Sequence, residues 1–128
     1  MTPRRPFSPR TQIQSFKYAL EGLKVLLQTQ HNAWIQLGMG AVALFLSWWL
    51  EIGRVKFALI ILCIELVLAI EAMNTAIEIV TNMISPHHSA EAKRAKDVAA
   101  AAVLLVSLAA LAMGLIILGP PLLRRFQT

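Results

Sequence analysis

Ile13, Phe16, Leu20, Leu23 and Leu27 follow the i, i+3, i+7 rhythm of one helix face, while Gln12, Gln14, Ser15, Lys17, Glu21, Lys24 and Gln28 fall largely on the other. This pattern predicts an amphipathic helix over residues 11–29. It is too polar to span a bilayer and too short to form a core alone, which fits a helix lying in the membrane interface. Three longer apolar runs follow and predict spanning helices over 33–50, 55–84 and 97–118. In the first, Gly38, Gly40 and Ala41 permit close helix contact, and Trp48 and Trp49 form an interfacial belt. The second is roughly 45 Å long as a helix, against a hydrocarbon core of ~30 Å, so one end must emerge into the headgroups. The third opens on four alanines at 99–102 and meets "GPP" at 119–121, which reads as a helix stop.

Composition agrees with this pattern. Of the 128 residues, 57% are hydrophobic and 15% charged, which points to a membrane protein. The net charge of +5 does not indicate a nucleic-acid binder, because the basic residues flank apolar runs instead of interleaving with aromatics on a polar surface. Their distribution sets an orientation. Arg4, Arg5, Arg10, Lys17, Lys24, Lys93, Arg94 and Lys96 fall on one side, and Arg54, Lys56, Arg124 and Arg125 on the other. Eight against four places the N-terminus and the 85–96 loop in the cytoplasm. Residues 1–10, with three prolines and three arginines, read as a disordered basic arm without a cleaved signal. Cys63 is the sole cysteine, so a disulfide framework and a cysteine metal cluster are both excluded.

Candidate chemistry lies in "EAMNTAIE", Glu71 to Glu78, inside the second span. A helix turns about 100° per residue, so with Glu71 at zero Asn74 falls near roughly 300°, Glu78 near 340° and Asn82 near 20°. All four share one stripe ~16 Å long in the cytoplasmic half of the span. Beyond the loop, "AKRAKD" adds Lys96 and Asp97 at the same level. Carboxylates there suit Mg²⁺, which takes oxygen ligands and retains bound phosphates. A lysine suits a phosphate as a point charge, and a deeper carboxylate suits the proton of a lipid hydroxyl. Together they describe phosphoryl transfer to a lipid. The plainer alternative is polar glue between spanning helices. Glu65 lies near 120°, off the stripe, and receives no role. His87 and His88 follow a proline and read as a solvated turn. No Walker-type or protein-kinase signature is present.

"EAMNTAIE" followed by "AKRAKDVAAAAVL", with "YALEGL" in the first helix, resembles the prokaryotic diacylglycerol kinase and undecaprenol kinase family over roughly residues 11–118. The resemblance implies an all-α membrane protein with an amphipathic interfacial helix and three transmembrane helices. The kinase domain would cover 11–120, with 121–128 as a C-terminal tail. It implies a homotrimer in the bacterial inner membrane that transfers the ATP γ-phosphate, with Mg²⁺, to a lipid hydroxyl. Glu71 is then similar to the catalytic base and Asn74 to the active-site asparagine. Lys96 and Asp97 match the nucleotide-binding pair, and Glu78 the metal-binding carboxylate. Gln30 stands where the family has a second metal-binding glutamate, and is the weaker ligand. Asn82 stands where it has an aspartate, and Trp34 where many relatives have a basic residue. "NTAIE" and "AKDVAAAAV" lean toward the undecaprenol kinase branch.

Two other readings remain open. Gln30 and Asn82 each remove a charge, which fits a weakened or non-catalytic relative that binds lipid or nucleotide. Glu65 and Glu71 at depth fit an ion- or proton-coupled transporter, though inverted repeats and broken helices are missing.

Overall fold

The computed structural model describes residues 3–4 and 6–128. Positions 1, 2 and 5 of the basic arm lie outside the described residues. Four helices follow in order: α1 (Pro9–Thr29), α2 (His31–Trp49), α3 (Arg54–Ile84) and α4 (Ala90–Phe126). No strand is present among the described residues.

α1 begins inside the expected arm. Pro9 occupies the first helical turn, where its missing N–H costs no helical bond. Leu26 is buried, whereas Ile13, Phe16, Leu20 and Leu23 are exposed, so most of the apolar face has no partner among the described residues. One residue separates α1 from α2. Gln30 is extended, with φ −115° and ψ 109°, and it terminates α1 while opening α2. A tight corner at 50–53 then leads into α3, and Gly53 supplies its left-handed φ of 90°. α2 and α3 approach closely at Gly40, where an added Cβ would lie 3.1 Å from Ile64 Cγ2.

α3 and α4 pack along each other more extensively than any other pair. Ile60, Ile117 and Leu118 form a buried cluster, with Leu44, Leu59, Ile64 and Met113 against it. The connection spans only 85–89, shorter than the expected 85–96 loop. Ser89 caps α4 by accepting the Ala92 N–H at 3.1 Å, and Glu91 lies in the first turn, where the helix dipole favours an acid. Lys96 and Asp97 therefore sit two turns inside a helix rather than at its start.

At the other end the expected stop fails. α4 continues through Pro120 and Pro121 to Phe126, so most of the residues read as a tail are helical. Proline's fixed φ is compatible with a helix; what it removes is the N–H that would bond the carbonyl four residues earlier. Ile117 and Leu118 are buried just before the pair, and Arg125 stacks over the Trp49 ring at 5.0 Å just after it. These contacts hold both flanks of the prolines in helical register. α4 is long and apolar enough to cross a membrane. Leu105 and Ile116 are among its broadly exposed apolar side chains, a surface that suits hydrocarbon better than water.

Candidate active site

Glu71 is 2% exposed, buried where α2 faces α3. From α2, Gln36 donates Nε2 to Glu71 Oε2 at 3.0 Å. With the amide nitrogen facing the carboxylate, Gln36 Oε1 points elsewhere. That oxygen is buried without a partner among the described residues, as is Oδ1 of Asn74 one turn along α3. Thr75 is buried too, and its hydroxyl returns to the Glu71 carbonyl at 2.9 Å. Thr75 also lines an apolar groove of about 350 Å³ between α1 and α3, with Gly22 and Leu26 on one wall and Ala72 and Ala76 on the other.

Glu78 is half-buried two turns from Glu71. Its Oε2 lies 3.3 Å from Gln30 Nε2. Gln30 is held there by the elbow between α1 and α2. Its own N–H closes α1 on the Leu26 carbonyl at 2.9 Å. The exposed Trp34 donates its indole N–H to the Leu27 carbonyl at 2.7 Å. That carbonyl belongs to the last turn of α1, where helical partners run out.

The outer end of the stripe turns to α4. Lys96 Nζ donates to Asn82 Oδ1 at 2.5 Å. Lys93 and Asp97 pair at 2.6 Å across one helical turn, both largely exposed. From the inside outward the stripe thus offers a buried carboxylate held by an amide, a half-buried carboxylate facing an amide, and an exposed amide facing a lysine. This order suits an elongated substrate with an apolar body, a hydroxyl and an anionic reaction partner.

The sequence profile of the family described as "Prokaryotic diacylglycerol kinase" matches residues 17–118. The chain belongs to the prokaryotic diacylglycerol kinase family. The diacylglycerol kinase of Synechocystis sp. is 36% identical over 110 residues, 85% of this chain and 63% of that protein. The chain therefore spans less than two thirds of that relative's length. The undecaprenol kinase of Bacillus subtilis is 30% identical over 85% of this chain and 89% of its own. The diacylglycerol kinase of Escherichia coli is 30% identical over 77% of this chain and 80% of its own. These relatives are lipid kinases by name.

Within this family member, the residues expected from sequence fall into three local groups. Gln30 meets Glu78, Asn82 meets Lys96, and Glu71 lies beside Asn74 on one helix face. Asp97 is taken by Lys93 and does not reach the stripe residues of α3. His87 and His88 are exposed, and no group of three or more metal-ligating side chains occurs among the described residues. Glu65 is exposed on α3, away from the site. Sequence reasoning missed Gln36, although an amide in the apolar run "AWIQLGMGA" is itself a signal.

The donor set can be tested against Mg²⁺. The ion commonly takes one or two carboxylates and completes its shell with water and substrate phosphates. Glu78 provides the carboxylate, and its neighbour Gln30 can add a carbonyl oxygen after turning the amide that now presents nitrogen. The residues fit an ion held chiefly by the phosphates of a nucleotide.

Proposed function

We propose that this chain is an ATP- and Mg²⁺-dependent lipid kinase that phosphorylates the hydroxyl of undecaprenol or diacylglycerol at the cytoplasmic membrane interface. The observation that carries this reading is the buried Glu71 carboxylate, one turn from Thr75 on the wall of the apolar groove. The groove accommodates part of a lipid chain, and Glu71 accepts the hydroxyl proton. The lipid oxygen bonds to the γ-phosphorus as the bond from that phosphorus to the β-bridging oxygen breaks, leaving ADP and the lipid phosphate. Asn74 lies beside the reacting hydroxyl. Lys96 and Asp97 belong to the nucleotide site, where the lysine attracts a phosphate as a point charge. Mg²⁺ beside Glu78, with Gln30 as the weaker ligand, would neutralise charge on the β- and γ-phosphates.

In this reading α1 lies in the interface, and α2, α3 and α4 cross the bilayer with the N-terminus in the cytoplasm of a bacterial cell. The working unit is a homotrimer. Relatives at 36% and 30% identity are named for diacylglycerol and for undecaprenol, and the "NTAIE" stretch favours undecaprenol. The test is to offer both lipids in parallel to the purified chain with Mg-ATP. Phosphorylation of either supports the reading, and failure of both at saturating Mg²⁺ refutes it.

Gln30 and Asn82 favour a second reading, a relative with a weakened metal and nucleotide site. Restoring acids by Gln30→Glu and Asn82→Asp separates the two. Activity that emerges only after restoration supports the second reading, and good activity in the native chain excludes it.

A further inference from the structure

We propose that Gln36 is the positioning residue of the phosphoryl-transfer reaction, fixing the rotamer of Glu71 so that one carboxylate oxygen is tied and the other is left to receive the lipid proton. This rests on the reading of Glu71 as the base. Three observations carry it. The Gln36 Nε2 to Glu71 Oε2 bond is 3.0 Å long and joins residues 35 apart in sequence, so it bridges α2 and α3. Glu71 is 2% exposed, so water does not compete strongly for the tied oxygen. The amide presents its nitrogen to the carboxylate, and this strands Gln36 Oε1 as a buried acceptor without a partner among the described residues. A buried unsatisfied acceptor destabilises a fold, so a side chain chosen for stability alone would be apolar here. The arrangement favours the geometry of Glu71 over packing.

Untied, the Glu71 carboxylate rotates among several orientations, and only some meet the hydroxyl. A general base must lie within hydrogen-bond reach of the proton it takes, and misplacement by about 1 Å can cost on the order of 10²-fold in rate. Gln36 touches neither lipid nor nucleotide in this scheme. Its loss therefore lowers kcat and leaves both KM values in place.

The experiment measures lipid phosphorylation by the full chain in mixed micelles, for the native protein, Gln36→Met, Glu71→Asp and the double variant, with Glu71→Gln as control. Methionine matches glutamine in length and lacks the donor. The expected result is a kcat for Gln36→Met about tenfold or more below native, with KM for lipid and for Mg-ATP within about twofold. In the Glu71→Asp background the same substitution should add little, because the shorter carboxylate no longer meets the amide. Should Gln36→Met fail to fold, Gln36→Asn keeps the amide one methylene short of the carboxylate and must show the same split. An unchanged kcat, or an equal loss in the Glu71→Asp background, overturns the positioning role while the base stands. Native-like turnover by Glu71→Gln overturns the base and the positioning role together.

Discussion

Gln30 and Glu78, 48 residues apart in sequence, meet with Nε2 3.3 Å from Oε2. The helix break at Gln30 makes this possible, because an extended residue between two helices projects its side chain across to α3. A metal-binding glutamate at this position, as the family resemblance implies, would place two carboxylates side by side. The amide leaves one.

Gln30→Glu should therefore lower the Mg²⁺ concentration needed for half-maximal activity by about tenfold, which corresponds to ~1.4 kcal/mol of ion binding. Glu78→Ala should raise it steeply. Magnesium titrations of the two variants check both, and coincident curves would contradict the ligand role of this pair.

Lys96 holds Asn82 at 2.5 Å from the adjoining helix. Lys96→Met should raise KM for ATP by about tenfold or more, since it removes the point charge opposite a phosphate. Asn82→Asp should convert the contact to an ion pair, with less than about 1 kcal/mol of added stability because it is exposed. Steady-state kinetics over a range of ATP concentrations and a denaturation series test the two effects separately.

Gly40 is the close approach between α2 and α3. Gly40→Val should lower stability by about 1–3 kcal/mol, because Ile64 Cγ2 already stands 3.1 Å from where a Cβ would be. A melting temperature in detergent equal to that of the native chain would show that the helices can part without penalty.

The helices of this fold were legible where periodicity is strong. The apolar face from Ile13 to Leu27 and the long apolar run of α3 both gave helices close to their observed limits. The ends of α4 were not legible. Residues 90–96 look like a charged loop, yet the Ser89 cap and the Lys93–Asp97 pair make them helical. "GPP" looks like a stop, yet contacts on both flanks carry the helix through it. These are tertiary and capping effects that local composition does not encode. The polar stripe could be read from helix geometry alone, because Glu71, Asn74, Glu78 and Asn82 share one element. Its partners could not. Gln36 is joined to Glu71 only by the packing of α2 on α3, and the pairing of Asn82 with Lys96 needs the register of α3 against α4.

The most direct measurement follows labelled γ-phosphate from Mg-ATP into undecaprenol and diacylglycerol, with the native chain and Glu71→Gln side by side in the same lipid. The native chain should label at least one lipid, and Glu71→Gln should fall by about 10²–10⁴-fold while retaining the native fold. Equal labelling by the two proteins would contradict the assignment of Glu71 as the base, and no labelling by the native chain at saturating Mg²⁺ would contradict lipid kinase activity itself.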